Sequence, residues 1–337
     1  MAHVIAGMAT SHAFALLEPD AWDGFLGLNR RTYAGRYGQE PPLNPRADAE
    51  TQDGNRQRYD ASIRRGLDAL RDRLRAAAPD VVLIVGDDQD ENFVDESPAL
   101  ALYTGDEFTV VDRFKALDGG TPPSTVYRND VPLASHLYEQ TVEAGFDVTA
   151  YHRFADGVLK AHAIGPLLQR ILPEADVPVV PIFVEAIHVP APSPARCYAF
   201  GQALRQAIAR WTGAERVAVC ASGGLSHFTA GYPYASLQRL GPGERPYGAI
   251  SEDFDRMLVE RMTRGEGAAL ASLTTEDLLR HGDVEFRSWL TVLGMVGEAP
   301  AQVLAYEPFY RAIMGMGVAF WDCAPGHQQG RAATCAA

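Results

Sequence analysis

The stretch Pro79-Asp-Val-Val-Leu-Ile-Val-Gly-Asp-Asp-Gln-Asp-Glu-Asn-Phe93 decides the fold. Asp80 to Val85 is a short run dominated by apolar, β-branched residues, the pattern of a strand buried on both faces in a parallel sheet. It stops at Gly86 and empties into Asp87, Asp88, Gln89, Asp90 and Glu91. In an open α/β sheet, ligands collect just outside the carboxyl ends of the strands. Carboxylates crowded at such an end repel one another unless a cation, a proton or a polar substrate offsets them. Taken alone, the same cluster also reads as a solvated loop, so the neighbouring segments must decide.

Upstream, Tyr59 to Ala78 carries Ile63, Leu67, Leu70 and Leu74 at helical spacing, with arginines and aspartates on the other face, which predicts an amphipathic helix closed by Pro79. A helix feeding directly into a buried strand is half of a βαβ unit. Further strands are expected at Met1–Ala9, Asp147–Tyr151, Val177–Ile187, Arg216–Ala221, Gln302–Tyr306 and Gly315–Trp321. Helices are expected over 20–38, 133–144, 160–172, 195–211, 252–264 (with Ser251 as N-cap), 276–281 and 284–296. The segments 39–54, 94–130 and 228–249 read as loops. The pattern predicts an α/β protein: a three-layer α/β/α sandwich around a mostly parallel central sheet, with the site at the carboxyl ends of the strands. With no internal repeat and no linker, residues 1–325 read as a single domain, followed by a disordered tail over 326–337.

The chain has 337 residues, 47% hydrophobic and 22% charged, the balance of a soluble globular protein. Its net charge of −13 argues against nucleic acid and anionic membrane surfaces as partners. No apolar run approaches the roughly 18 residues needed to span a bilayer. The cysteines, Cys197, Cys220, Cys323 and Cys335, form no CxxC pair and fit reduced thiols in a cytoplasm. No P-loop and no G-x-G-x-x-G is present.

Several predicted strands end in related chemistry: His12, the Asp87–Glu91 cluster, His188, and Ser226-His227. In a parallel sheet these ends share one edge. Each histidine alone reads as a hydrogen-bonded structural residue; together they describe a metal site, an acid/base pair, or a nucleophile with its base. The Ser222-Gly-Gly-Leu-Ser226-His227 turn is not G-x-S-x-G; its glycines suit backbone N–H groups aimed at an oxyanion or a carboxylate.

These pieces, in their order, resemble the class III extradiol dioxygenases of the protocatechuate 4,5-dioxygenase catalytic-subunit type. The matching segments are Thr10-Ser-His12, Val81 to Gln89, Lys160-Ala-His162, Ile187-His188-Val-Pro-Ala-Pro, Arg196-Cys-Tyr-Ala-Phe-Gly201, Ala221-Ser-Gly-Gly-Leu-Ser-His227 and Ile250-Ser-Glu-Asp-Phe-Asp255. The most specific are Arg196-Cys-Tyr and Ser-Gly-Gly-Leu-Ser-His. The resemblance implies ring opening of a catecholic or related phenolic substrate by O₂ at a non-haem Fe(II) held by two histidines and a glutamate. Carried over by position, the first histidine is His12 and the carboxylate falls on Asp253, with Glu252 beside it. The second histidine falls on Gln89, a weak neutral donor. Glu91 shares the face of Gln89 in an extended strand and is a replacement ligand, with Asp88 a poorer one on the opposite face. The site then takes Fe(II), another divalent metal, or none.

The same resemblance makes His188 the general acid/base, and His162 and His227 further catalytic contacts near the substrate. Asp88, Ser226 and Arg196 are candidate substrate-binding residues. The remaining expectations are a small aromatic substrate, O₂ and a homo-oligomer. An alternative is a metal-independent C–C bond hydrolase or lyase on the same fold, with His188 and His227 as acid and base. A non-catalytic binding member is a third.

Overall fold

The computed structural model describes residues 1–112, 122–213, 216–230 and 247–324. Its strands are β1 (His3–Thr10), β2 (Val81–Gly86), β3 (Leu100–Tyr103), β4 (Glu107–Val111), β5 (Ser124–Arg128), β6 (Thr149–Tyr151), β7 (Val158–Leu159), β8 (Val179–Val184), β9 (Arg216–Ser222), β10 (Gln302–Phe309) and β11 (Met314–Asp322). Eight of them form one sheet in the order β10-β11-β1-β9-β2-β8-β3-β6. The centre is parallel: β1, β9, β2 and β8 all run the same way. The flanks are not, because β11 lies antiparallel to β1, and β3 antiparallel to β8.

All six residues of β2 are buried, and its side chains alternate between two cores. Val82 and Ile84 join one with Leu67, Leu70 and Leu74 of helix Arg65–Ala77. Val81, Leu83 and Val85 join the other, with helices Val131–Glu143, Pro194–Arg210 and Phe286–Val296. A sheet apolar on both faces must be covered on both, and the three layers follow.

The second layer contains a close crossing. A Cβ on Gly201 would lie 1.9 Å from the Thr291 carbonyl oxygen, and one on Gly294 2.2 Å from that of Tyr198. Helices Pro194–Arg210 and Phe286–Val296 therefore touch backbone to backbone, and glycine alone permits the approach. Every residue of Phe286–Val296 is buried.

Several expectations need correction. The segment 94–130, read as irregular, holds β3, β4 and β5. β3 is only four residues, all buried, too short for periodicity to mark. β4 pairs with β5 on one side and β7 on the other in a separate three-stranded sheet. The loop at 39–54 contains the turn Pro45–Asp48, and a helix starts at Gln52, running through a π turn at Asp60–Arg64 into Arg65–Ala77. The helix expected from residue 160 starts at Gly165, which leaves His162 in a turn. Ser251 occupies the N-cap position of Glu252–Thr263, but its side chain caps nothing. Residues 231–246 of the expected loop, Cys335 and the tail lie outside the described residues. No helix among the described residues is long and apolar enough to cross a membrane.

Candidate functional site

The parallel centre of the sheet delivers its carboxyl ends to one edge, and the site assembles there. His12 lies two residues past β1 and is 1% exposed. Asp87 is the first residue after β2 and is fully buried. Glu285 arrives from the other direction, immediately before the buried helix Phe286–Val296. One donor atom from each of His12, Asp87 and Glu285 lies within 4.8 Å of the other two.

Glu285 is held from all sides. Its Oε2 accepts the Gly224 N–H at 2.6 Å and lies 3.5 Å from His12 Nε2. Its Oε1 accepts from Gln89 Nε2 at 2.9 Å and lies 3.2 Å from His227 Nε2. The second bond of the Gln89 amide goes to Asp87 Oδ2 at 3.0 Å, so one side-chain amide spans both carboxylates. The glycines of Ser222-Gly-Gly-Leu-Ser-His227 do what their position suggested: they bring a backbone N–H to a carboxylate, and that carboxylate is the protein's own. A Cβ on Gly224 would lie 2.2 Å from His227 Cε1, and one on Gly223 2.7 Å from the Glu285 carbonyl oxygen.

The electrostatics are those of two buried acids in contact. Burial and the neighbouring Glu285 push the Asp87 carboxyl well above its ordinary range. Burial opposes ionisation of Glu285 too, but His12, His227 and His162 outweigh it and hold its carboxyl below the usual range. Burial lowers His12 itself to about 4, leaving it neutral and free to donate a lone pair. The cationic partners at neutral pH are His227 and His162. Burial works against both cations, but Glu285 lifts His227 to about 9 and Glu91 lifts His162 to about 9.

These residues fit a divalent cation. Asp87 Oδ1 is buried with no hydrogen-bond partner, an exceptional state for a carboxylate oxygen unless an ion or water meets it. One imidazole and two carboxylates form a donor set for a divalent metal, with more negative charge than two imidazoles and one carboxylate. A cation there removes the Asp87–Glu285 repulsion that otherwise requires a proton.

The remaining candidates divide into those at this edge and those elsewhere. His162 is at the edge: its ring stands perpendicular to that of His12, centroids 4.8 Å apart, and Glu91 Oε2 accepts both its backbone N–H and its Nδ1–H, at 2.7 and 3.0 Å. Glu91 therefore orients a histidine and is not one of the three clustered donors. His188 sits on the rim, Nδ1 2.9 Å from Glu185 Oε2 and Nε2 2.9 Å from Asp90 Oδ1.

Glu252 and Asp253 do not join His12. Asp253 is wholly exposed, with Arg256 at 3.8 Å, while Glu252 pairs with Arg46 and Arg256, each at 2.7 Å, and accepts the Tyr310 hydroxyl. The carboxylate beside His12 is Glu285; Glu252 is spent on Arg46, Arg256 and Tyr310, and Asp253 stands in solvent. Asp88 lines a small pocket next to His188, yet its oxygens are taken by the N–H groups of Glu91, Asn92 and Phe93 and the Asn92 amide; it shapes the loop. Ser226 is consumed by buried Asp255, which accepts its N–H and its hydroxyl. Arg196 lies over the Phe146 ring and 3.7 Å from Asp147.

Sequence reasoning therefore missed Glu285 and undervalued Asp87. The available signal for Glu285 was an acid abutting Phe286–Val296, a helix apolar enough to be wholly interior.

Over residues 45–321 the chain matches the family described as the catalytic LigB subunit of aromatic ring-opening dioxygenase. It is 27% identical over 288 residues to a 2,3-dihydroxyphenylpropionate/2,3-dihydroxicinnamic acid 1,2-dioxygenase of Cupriavidus necator, covering 75% of this chain and 87% of that protein. It is 28% identical over 168 residues to the gallate dioxygenase of Pseudomonas putida KT2440, covering 48% of this chain and 44% of that protein. An uncharacterized protein of Escherichia coli K12 superposes with a TM-score of 0.47 at 14% identity, covering 94% of this chain and 99% of that one.

Proposed function

Because the chain belongs to the LigB family of aromatic ring-opening dioxygenases, and is thus an oxidoreductase, we propose that it opens a catecholic ring by extradiol cleavage with O₂, using Fe(II) held by His12, Asp87 and Glu285. One observation supports this reading above the others: three strand and helix ends bring three buried donors within 4.8 Å, and one donor oxygen has no other partner. The metal, when bound, supplies the Lewis acidity and redox chemistry that allow a catechol to react with O₂.

The chain's own residues supply the rest. Gln89 and Gly224 fix the two carboxylates by hydrogen bonds, so that neither reorients when a substrate arrives. His188, on the rim, takes a proton from a catechol hydroxyl at Nε2 and returns one later, as general acid/base work requires. His162 and His227, both cationic at neutral pH, keep the wall of the site positive and favour a deprotonated catechol oxygen. The interior location of His12 and Glu285 keeps bulk water from the carboxylates.

The test is reconstitution. Metal-stripped protein should take up Fe(II) stoichiometrically, and should then consume O₂ and form a ring-fission chromophore with at least one member of a catechol panel that includes 2,3-dihydroxyphenylpropionate. Full turnover after exhaustive chelation and without O₂ overturns this reading in favour of a metal-independent hydrolase or lyase using His188 and His227.

A further inference from the structure

Glu185 is the first residue past β8, 6% exposed, and no part of the proposed chemistry has used it. A buried carboxylate is costly unless its lone pairs are filled, and here they are filled in an ordered way. Oε1 accepts the backbone N–H groups of Ile187 and His188, both at 2.8 Å, and Oε2 accepts His188 Nδ1–H at 2.9 Å. One acid therefore fixes both the turn that carries the histidine and the ring itself.

The other ring nitrogen meets a different partner. Nε2 lies 2.9 Å from Oδ1 of Asp90, a residue 59% exposed and in the left-handed region at φ 60. An exposed ion pair holds weakly, and a substrate hydroxyl can displace it. The buried bond to Glu185 cannot be exchanged so cheaply. The pocket beside His188 is lined by Asp88, Glu96 and Glu185 with Phe93, Pro98 and Phe183. The charged groups facing the ring from the loop after β2, from the 96–98 segment and from its own turn are thus all acidic.

We propose that Glu185 is the positioning residue for His188, holding the ring with Nδ1 protonated so that Nε2 is the nitrogen that exchanges protons with the substrate. A base oriented by a third, buried group is a recurrent arrangement wherever a histidine must present one nitrogen only. The electrostatics agree: burial works against the His188 cation, but Glu185 and then Asp90 outweigh it and raise its affinity for a proton. The role in turnover rests on the dioxygenase reading above; the tautomer does not.

Glu185→Gln is the discriminating variant. Its amide oxygen can still accept the Ile187 and His188 N–H groups, while its NH₂ cannot accept from Nδ1–H. The His188 imidazole is read by ¹⁵N NMR in metal-free protein, and steady-state kinetics follow on the Fe(II)-loaded enzyme with 2,3-dihydroxyphenylpropionate. The neutral ring should be the Nδ1–H tautomer in the unmodified protein and should shift towards Nε2–H in E185Q, with weaker proton affinity. kcat should fall by about 100-fold or more, with KM changed by less than about three-fold, and the acidic limb of the pH profile, where His188 must lose its proton to act as base, should move to lower pH. Asp90→Asn should leave the tautomer as it is.

An Nε2–H tautomer in the unmodified protein overturns the proposal with no variant needed, even if E185Q fails to fold. Unchanged kcat in a folded E185Q overturns it as well. If the unmodified protein opens no catechol, the reading of its function fails, and the tautomer shift alone then decides whether Glu185 positions His188.

Discussion

Glu252 and Asp253 open a helix on its outer side, whereas Asp87 and Glu285 are buried beside His12. All four are ordinary acids at the start of a turn or helix, and in the sequence the first pair is the more conspicuous. In the structure Glu252 has the Tyr310 hydroxyl, Arg46 and Arg256 to satisfy it, and its carboxyl is held below the usual range by the Tyr310 hydrogen bond and then by Arg46. Asp87 is shifted the opposite way, by burial first and Glu285 second. The same functional group is thus fully paired in one place and keeps an unpartnered oxygen in the other. Burial and available donors make the difference.

The comparison can be broken at its strongest point by removing one acid from each pair. Glu285→Ala should lower divalent-metal affinity by well over about 100-fold, beyond what losing an outer partner costs, and should abolish oxygen uptake. Glu252→Ala should leave both within about three-fold. Isothermal titration with Fe(II) or Mn(II) under argon checks this, and the reverse ranking would sink the site described here. A smaller effect is expected for the amide that spans the interior pair: Gln89→Leu removes both its hydrogen bonds and should cost roughly 10-fold in metal affinity.

Two glycines sharpen the contrast between interior and surface. Gly224→Ala places a Cβ 2.2 Å from His227 and should cost about 1–3 kcal/mol by overpacking, read as a lowered Tm. Gly24→Ala, where a Cβ meets nothing within 4 Å inside helix Trp22–Tyr37, should raise Tm slightly, by up to about 1 kcal/mol of stability.

The smallest effect is a pH dependence at the surface pair. Because the folded-state value for Glu252 is depressed, its contribution is fully present above the ordinary glutamate range and is lost as pH falls through the depressed value. Glu252→Gln should therefore narrow the difference in stability between neutral and acidic buffer, read as Tm, by no more than about 1 kcal/mol and less at high salt.

Much of this was legible in the chain. β2 and its acidic end, the amphipathic helix before it, the alternation of strand and helix, and the arrival of His12, Gln89 and His227 at one edge all follow from periodicity and from the rule that ligands sit at strand ends; His162 was reached only through the family resemblance. Glu285 did not follow, because its signal lies in tertiary burial: whether an acid before an apolar helix points inward depends on what covers it. Glu252 and Asp253 misled for the complementary reason, since a position matched in a short motif says nothing about which face of the helix carries it. β3 and β4 were lost to their shortness. Asp88 and Ser226 stood where ligands belong, but Asp88 spends its lone pairs on its own loop and Ser226 donates its N–H and hydroxyl to Asp255.

The crossing at Gly201 and Gly294 links distant parts of the molecule. One of its helices starts right after Glu285, and the other begins just after the turn that carries His188. With no side chains to cushion the contact, a single methyl at the crossing cannot be absorbed locally and would push the two segments apart like jaws on a common pivot. Variation far from any substrate therefore has a direct route to the spacing between the acid that would grip the metal and the imidazole that would ferry the proton.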